Sequence, residues 1–292
     1  MKVIRVFAAV FLLVLAVPAG VRGEARPASE LVVDTVRTYT VKKGESLLEI
    51  ARRFDLGYSQ IVAANPGLDP YAPGTGAVVV VPTAWIVPQT PAGEGIVINL
   101  AEMRLYHFFT AGRTRLYQTF PIGIGSEGTD TPLGRFRVVE KIVAPSWHVP
   151  RSIKQEKPEL PDVVPPGPAN PLGSHALRLS EMTILIHGTN KPWGVGRTVS
   201  HGCIRLYPED IPRLFERVRV GTDVTIVRQQ VKVGERDGRV YVEVHDDGLA
   251  TVEILEEAER LLLRNGLNRR VDRRKLLRAL KERRGFPVDI GN

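Results

Sequence analysis

Cysteine and long apolar runs are both scarce in this sequence. One cysteine, Cys203, stands among 292 residues, so no disulfide can form within the chain. The N-terminal apolar run, Val6–Val17, has 12 residues, fewer than the roughly 20 that a helix needs to cross a bilayer. With 43% hydrophobic residues, the chain can bury the core of one or two globular domains.

A basic excess is also absent from most of the chain, although the formal net charge is +8. Ten Lys or Arg residues lie between Arg264 and Arg284, against Asp272 and Glu282, so this segment alone carries +8. The first 23 residues add +3 and Asp289 adds −1, which leaves −2 for residues 24–263. The basicity therefore belongs to the C-terminal tail and does not describe the whole protein.

The N-terminus has the pattern of a signal peptide over residues 1–23. Lys2 and Arg5 precede the apolar run, and a Pro-Ala-Gly exit follows it. An uncleaved anchor is the alternative interpretation. We expect an exported protein of the periplasm or cell-wall space, where cysteines are usually paired in disulfides. A lone thiol there is either buried and inert or kept for chemistry.

Residues 39–82 form a short unit with its own order of elements. The strand-like YTVKKGE opens it, and a Ser-x-x-Glu capping box at Ser46 predicts a helix over Leu47–Phe54. A second short helix is predicted over Ser59–Ala64, and Val78–Pro82 supplies a closing strand. The predicted order is therefore strand, helix, helix, strand.

From Gly95 onward, short β-like runs alternate with turn residues, which favours a β-sandwich or barrel over a parallel α/β sheet. The runs are GIVINL, RLYHFF, RLYQTFPIGI, GRFRVVEKIV, HALRL, TILIHG, DVTIV and RVYVEV. One embedded helix is predicted from Pro208 to about Val218. We therefore predict a mainly β domain over 95–228, followed at 229–292 by a strand and a basic helical tail.

Two further segments have a distinct composition. Pro145–Pro171 contains eight prolines, and a segment this long between strands is either an active-site lid or a surface excursion. Near the C-terminus, helices are predicted over Val252–Arg264 and after the N-cap Asp272, with Gly285 as the stop.

The stretch from Ile184 to Ile211, ILIHGTNKPWGVGRTVSHGCIRLYPEDI, contains the groups that acyl transfer requires. A thiol is only a few per cent ionised near neutral pH, so Cys203 needs a base within hydrogen-bond reach. The tetrahedral intermediate needs backbone donors, and Gly202 lets N–H groups approach a substrate closely. The candidate bases are two histidines, one upstream on a predicted strand and one two residues before the cysteine.

The choice between these histidines stays open at this level. Residues two apart in an extended strand point the same way, so His201 would lie beside Cys203 but poorly placed to bridge thiol and substrate. His187 comes from another element, which favours it as the base. Zinc held by these three side chains is an alternative, although His-x-Cys is not a usual ligand spacing. We expect no metal and no cofactor.

Two parts of the chain resemble known families. YTVKKGESLLEIARRF, IVAANPGLD and PGTGAVVVVP resemble the LysM module, which implies binding to N-acetylglucosamine-containing glycan. A small spacer domain without a ligand is the alternative. HGTN and SHGCIRL, preceded by TDTPLGRF and PPGPANPLG, resemble the L,D-transpeptidase catalytic domain, also called YkuD-like, over about Gly95 to Arg228.

The second resemblance implies roles for individual residues. Cys203 becomes the nucleophile and His187 the general base, while His201 faces the substrate and the Gly202–Cys203 backbone forms the oxyanion region. The residues implied to line the substrate side are Ser200, Arg205, Gly188 and Thr189. Many family members carry Asn where this chain has Arg205, whose guanidinium is suited to bind a carboxylate. A surface ion pair between Arg205 and Glu209 is the alternative.

The implied substrate is peptidoglycan. Cys203 would attack the carbonyl of the third stem-peptide residue and expel the terminal D-alanine, leaving a thioester. The acceptor would be an amine of a second stem (a 3–3 cross-link), a free D-amino acid, a lysine of an envelope protein, or water. A hydrolase of the same bonds, as a carboxypeptidase or amidase, and a non-catalytic wall-binding protein are the alternatives.

The basic tail allows three interpretations. Its helix could pack on the catalytic domain through Leu276, Leu277 and Leu280 and leave a solvated basic face. It could adhere to anionic envelope polymers or lipid headgroups. Nucleic-acid binding fits the charge but not an exported protein. The expected partners are therefore peptidoglycan and an anionic envelope surface, and no nucleic acid.

Overall fold

The structure, a computed structural model, describes residues 26–27, 32–88, 93–126, 130–181, 183–200, 202–248 and 250–292. The signal peptide predicted at 1–23 and the candidate residue His201 lie outside these residues. Within them, no helix has both the length and the apolar character of a membrane span. The mainly β architecture with a small α+β module and C-terminal helices is confirmed.

The helices in the described part of the chain are short. They are α1 (Leu47–Arg53), α2 (Tyr58–Ala64), α3 (Arg151–Glu156), α4 (Ile211–Arg217), α5 (Thr251–Arg264) and α6 (Arg273–Glu282), with 3-10 turns at Pro192–Gly194 and Asn268–Arg270. The predicted caps are present: Ser46 and Glu49 form a capping box on α1, and the Asp272 carboxylate accepts from N–H groups of α6. Helix α6 ends before the predicted stop, because Arg283 adopts a left-handed φ of 45°.

The strands confirm the β-like runs found in the sequence. They are β1 (Arg26–Pro27), β2 (Val32–Val33), β3 (Arg37–Thr40), β4 (Val78–Val81), β5 (Trp85–Ile86), β6 (Gly95–Asn99), β7 (Arg104–Ala111), β8 (Thr114–Pro121), β9 (Ile124–Gly125), β10 (Gly134–Val143), β11 (Trp147–His148), β12 (Val163–Val164), β13 (His175–Leu179), β14 (Leu185–His187), β15 (Thr198–Ser200), β16 (Ile204–Arg205), β17 (Asp223–Val227), β18 (Val231–Arg236), β19 (Arg239–Val244) and β20 (Val288–Asp289).

The large sheet has the strand order β1-β8-β7-β6-β17-β10-β13-β14-β16. The segment that follows β8 returns to the opposite edge, where Gly123 forms an antiparallel bridge with Arg205 of β16. Each of these two residues donates its N–H to the other's carbonyl, at 2.8 and 2.9 Å. The sheet therefore curls back on itself around an apolar core, and the buried Ile211 and Leu214 of α4 complete that core.

The N-terminal module has the predicted order strand, helix, helix, strand. Strands β3 and β4 pair antiparallel, with Arg37 opposite Val81 and Thr40 opposite Val78. The apolar face predicted for α1 is buried: Leu47 and Ile50 are inaccessible to solvent and pack with residues of α2 and β4. This module is therefore a small α+β domain with its own core.

The C-terminal residues form a folded unit, which corrects the expectation of one strand and a tail helix packed on the catalytic domain. Strands β18, β19 and β20 make a three-stranded antiparallel sheet, covered by α5 and α6. Leu276, Ala279 and Leu280 of α6 are buried against this sheet, together with Ile290. The basic helix is therefore anchored by its leucines, but to this C-terminal sheet.

The proline-rich segment Pro145–Pro171 is an ordered excursion from the large sheet. Strands β11 and β12 pair as a hairpin, and α3 lies between them. The fully buried Asn170 closes its base: its amide nitrogen donates to the carbonyls of Pro145, Val164 and Pro165, and its amide oxygen accepts from the N–H of Leu172. A lid function for this hairpin stays a prediction.

Candidate active site

The pairing of β14 with β16 brings the predicted base, His187, beside Arg205 at the edge of the sheet. These strands are parallel, with Ile186 opposite Ile204 and His187 opposite Arg205. Both isoleucines are buried in the core. Since successive side chains alternate across a strand, His187 and Arg205 project to the other face. Cys203 directly precedes β16, and the charge of Arg205 acts on its thiol.

His187 is buried and held by backbone carbonyls. Its Nδ1 lies 2.5 Å from the carbonyl oxygen of Gly188, which fixes the ring. Burial, and to a smaller extent the positive charge of Arg205, lower the pKa of His187 from 6.5 to about 4, although the carbonyls of Gly188 and Leu172 favour the protonated form. The ring is therefore neutral at physiological pH and able to accept a proton.

Cys203 is half-buried and is a free thiol. Its Sγ lies 3.7 Å from the carbonyl oxygen of Thr183. Burial raises the pKa of the thiol above its ordinary 9.0, against the lowering effects of a backbone hydrogen bond from Leu185 and of the charges on Arg205 and Arg178. In the free protein the resting thiol is therefore protonated.

The backbone around Cys203 is a turn and not the extended strand assumed from the sequence. Gly202 has φ of +91°, a conformation that side chains rarely adopt. Its carbonyl accepts a hydrogen bond from the hydroxyl of Thr131 at 3.0 Å, and Thr131 in turn accepts from the N–H of Gly125 at 3.1 Å. The predicted place of His201 beside Cys203 lies outside the described residues.

Ser200 and Thr131 hold this turn through hydrogen bonds to its backbone carbonyls. Ser200 is buried, and its hydroxyl donates to the carbonyl of Cys203 at 2.5 Å. The carbonyl of Ser200 accepts from the N–H of Ser126 at 2.8 Å. Thr131 was not singled out from the sequence, although it lies within the quoted TDTPLGRF; a threonine between charged and turn residues gives no separate signal of burial.

Arg205 lies beside the thiol without a carboxylate partner among the described residues. Its Nε is buried and has no hydrogen-bond partner there. The sequence-based alternative, an ion pair with Glu209, is wrong, because Glu209 binds Arg52 of the N-terminal module through two contacts of 2.9 and 2.8 Å. Burial lowers the pKa of Arg205.

Gly188 and Thr189 lie in the packed start of the loop between base and nucleophile. A Cβ at Gly188 would lie 2.9 Å from Cγ2 of Ile211, so only glycine fits against α4. Thr189 is buried, and its hydroxyl accepts from the N–H of Lys191 at 2.9 Å. Both residues shape the loop; their predicted contact with substrate stays a prediction.

A cluster of possible metal ligands lies elsewhere in the described part of the chain. Glu102, Glu243 and His245 approach one another within ligand distance and are all buried. The ammonium of Lys232 already lies between the two carboxylates, in direct contact with Glu102 and 2.9 Å from Glu243. The ammonium of Lys232 therefore occupies the position that a metal cation would need. Because Lys232 and Glu243 lie on the C-terminal sheet and Glu102 lies between β6 and β7, the cluster joins the C-terminal sheet to the large sheet.

Two parts of the chain match known families. Residues 93–226 match the L,D-transpeptidase catalytic domain, YkuD, and residues 39–82 match the LysM domain. The first match contains His187, Cys203 and Arg205. The second contains α1 and α2.

Similar proteins cover almost the whole chain. The probable L,D-transpeptidase YcfS of Escherichia coli K12 is 37% identical over 279 residues, which is 90% of this chain and 86% of that protein. The probable L,D-transpeptidase YbiS of the same organism is 40% identical over 267 residues, 86% of each chain. Among solved structures, the catalytic domain of the Enterococcus faecium L,D-transpeptidase is 21% identical, with a TM-score of 0.36 over 47% of this chain and 99% of that one.

Proposed function

The chain belongs to the L,D-transpeptidase family, and from that premise we propose that it modifies peptidoglycan outside the cytoplasm with Cys203 as its nucleophile. The observation that carries the proposal is the parallel pairing of β14 and β16. It places the neutral, buried imidazole of His187 opposite Arg205, whose guanidinium has no carboxylate partner among the described residues and whose charge acts on the Cys203 thiol.

The proposed reaction begins with proton transfer coupled to attack. The thiol of Cys203 gives its proton to His187 while sulfur bonds to the carbonyl carbon of the third stem residue. The oxyanion is stabilised by backbone N–H groups at the Gly202–Cys203 turn. Collapse breaks the amide bond to the terminal D-alanine, whose nitrogen takes the proton from His187, and leaves a thioester. An acceptor amine then attacks that carbonyl carbon, and sulfur leaves and regains a proton.

Arg205 is assigned to the donor's terminal carboxylate. A guanidinium beside the thiol that has no carboxylate partner among the described residues can bind a carboxylate through two parallel hydrogen bonds. That contact would orient the D-alanine end of the tetrapeptide with its scissile carbonyl at sulfur. Ser200 and Thr131 are assigned as positioning residues, because their hydroxyls are bonded to the backbone of the turn.

Mass spectrometry of products separates the candidate activities. Purified protein is incubated with a disaccharide-tetrapeptide, with and without an added D-amino acid, beside the Cys203→Ala variant. We expect D-alanine release with cross-linked or exchanged products from the wild type and none from the variant. Tripeptide alone would favour the hydrolase. Absence of turnover and of any thioester adduct in the wild type would favour a non-catalytic wall-binding protein.

The LysM module is proposed to bind the glycan strand of the same polymer. Its fold is complete, with a core of its own, and the family match covers all of 39–82. Retention of the protein on sacculi with stem peptides removed enzymatically tests glycan binding separately from catalysis. Loss of retention when only the peptides are removed would contradict it.

The basic surface of the C-terminal unit is proposed to add affinity for anionic envelope surfaces. Arg269, Arg274 and Arg278 are exposed on this unit. Each such residue near an anionic membrane surface contributes roughly 1 kcal/mol, and salt screens the effect. Changing these three to Gln should remove the salt-sensitive part of binding to anionic vesicles or sacculi and leave turnover of soluble muropeptides unchanged. The same change at the exposed Arg135 and Arg219 is the control.

A further inference from the structure

The LysM module contacts both segments of backbone that flank Cys203. One is the segment 193–197, which lies between the proposed base and nucleophile. The other is Tyr207–Glu209, directly after β16. The contacts come from α1 and from the turn that starts α2, so one region of the module contacts the chain both before and after Cys203.

The contact before Cys203 is made by backbone groups. The N–H groups of Tyr58 and Ser59, at the first turn of α2, donate to the carbonyls of Val195 and Gly196, each at 3.1 Å. The first N–H groups of a helix have no partner within the helix, so the catalytic domain supplies the acceptors here. The two backbones touch: a Cβ at Gly57 would lie 2.7 Å from the Cα of Gly196.

Side chains reinforce this contact. The guanidinium of Arg197 lies 3.7 Å from the ring centroid of Tyr58 and donates to the hydroxyl of Tyr71 at 2.9 Å. Val195 is 1% exposed. Removal of the module would therefore leave the carbonyls of Val195 and Gly196 without these two donors.

The contact after Cys203 is made by side chains. Arg52 of α1 forms a two-point ion pair with Glu209 at 2.9 and 2.8 Å, and its guanidinium lies 5.5 Å from the ring centroid of Tyr207. The hydroxyl of Tyr207 donates to the carbonyl of Leu56 at 3.0 Å. Tyr207 is buried, so it is part of the interface and not a surface side chain.

On its other side, the segment 193–197 is bonded to residues 122–124, which in turn pair with Arg205 of β16. Gly196 donates to the carbonyl of Ile122 at 2.9 Å, and Ile124 donates to the carbonyl of Arg197 at 3.1 Å. Gly123, between them, exchanges two hydrogen bonds with Arg205. The order in space is therefore α2, segment 193–197, strand 122–125, and then β16 beside the cysteine.

We propose that the LysM module is a positioning element of the active site: by holding the segments 193–197 and Tyr207–Glu209, it fixes the turn that carries Cys203. The module therefore contributes to turnover even of substrates that contain no glycan. This inference rests on the proposed nucleophilic role of Cys203, but the backbone order that it requires is measurable without any substrate.

Gly57→Ala tests the contact at its closest point. Gly57 has φ of −87° and ψ of 166°, a conformation that alanine adopts freely, so the added methyl acts mainly through its collision with Gly196. Ser46→Ala is the matched control. It removes the N-cap of α1, which destabilises the module itself, and the hydroxyl that is lost bonds to Glu49 within the module.

Charge reversal gives an independent test of the second contact. Arg52→Glu and Glu209→Arg should each repel their partner, and the double variant restores an ion pair with reversed polarity. Recovery in the double variant would separate the contact itself from damage to either domain, because each single change is still present in it.

Two readouts are applied to the full-length variants. Hydrogen exchange of peptides covering 193–206 reports backbone order. The second readout is kcat and KM for D-alanine release from a free tetrapeptide stem without sugar. We expect Gly57→Ala and each single reversal to speed exchange over 193–206. They should also lower kcat roughly tenfold to a hundredfold, as misplacement of catalytic groups does, with KM changed less. Ser46→Ala and the double reversal should stay closer to wild type.

Three outcomes would overturn the inference. The first is faster exchange in α2 with unchanged exchange over 193–206. The second is wild-type kcat in a variant whose module has separated. The third is unchanged exchange in every variant, because the contact would then not be what holds the segment. If the wild type itself releases no D-alanine, the proposed function fails, and exchange together with the alkylation rate of Cys203 still decides whether the module orders the turn.

Discussion

Arg205→Gln tests the electrostatics of the site and the assignment of the donor carboxylate together. The substitution keeps a planar hydrogen-bonding group and removes the charge. That charge lowers the pKa of His187 and the pKa of Cys203 in the free protein. Because Arg205 has no carboxylate partner among the described residues, its loss leaves no acidic side chain without a counter-charge.

The expected pKa changes in Arg205→Gln follow from the causes that set the pKa values of His187 and Cys203. Burial is the larger cause that lowers the pKa of His187 to about 4, and Arg205 is the smaller one. Without Arg205 the pKa should rise but stay below 6.5, because burial remains. The pKa of the Cys203 thiol should rise further above 9.0. Losing a charged hydrogen bond to the substrate costs about 1.5–3 kcal/mol, or roughly a tenfold to 150-fold loss in kcat/KM.

The assay is the pH profile of kcat/KM for D-alanine release, measured with a tetrapeptide and with its C-terminal amide. In the wild type the acid limb should fall near pH 4, and the carboxylate substrate should be preferred. In Arg205→Gln the acid limb should move upward and the preference should largely vanish. Arg178→Gln is the control: Arg178 affects the Cys203 thiol but pairs with Glu140 at 2.7 Å, so the acid limb should stay in place.

Two results would refute this reasoning. An acid limb that stays fixed or moves downward in Arg205→Gln would show that this charge does not act on His187. A preference for the carboxylate substrate that survives the substitution would show that another group binds the terminal carboxylate. Unfolding curves of both variants establish that the comparison concerns folded protein.

Three further predictions concern the thiol, the buried lysine and the tail. Alkylation of Cys203 by iodoacetamide should be slow at pH 7 and should still rise above pH 9, since its pKa is raised; a plateau between pH 5 and 8 would contradict this. Lys232→Met should lower the free energy of unfolding by about 3–5 kcal/mol, because Glu102 and Glu243 remain buried without their cation. Urea titration measures this free energy, and a loss below about 1 kcal/mol would contradict the prediction. Truncation before Arg269 should unfold the C-terminal unit, which loses buried side chains of α6; unchanged circular dichroism and solubility would contradict it.

The elements that were predictable from the sequence have local signals. The helix α1 follows from a capping box at Ser46, and β6 and β7 from apolar runs bounded by turns. The approach of His187 to Cys203 stays a prediction that rests on the resemblance and on their separation in sequence. The register that sets His187 opposite Arg205 has no local signal, because it depends on the curl of the whole sheet.

The features that were not predictable depend on contacts between distant residues. Glu209 was paired with Arg205 because they are four residues apart, but that spacing brings side chains together only on a helix, and α4 begins at Ile211. The actual partner, Arg52, is 157 residues away. Strand β18 was missed because its sequence VKVGER contains charges and a glycine. Its Lys232 is buried only because carboxylates from two other segments surround it.

The pKa values of His187 and Cys203 decide how the reaction must start. Burial raises the pKa of the Cys203 thiol, while burial and the charge of Arg205 lower the pKa of His187 to about 4, so proton transfer from the thiol to the imidazole is unfavourable in the free protein. The resting pair is therefore neutral, and the proton must leave Cys203 as the carbon–sulfur bond forms. The oxyanion made in that step needs the Gly202–Cys203 turn already in place, so rate depends on how firmly the turn is held. Contacts far from the sulfur, from Thr131 to the LysM module, are therefore expected to affect the rate of the reaction.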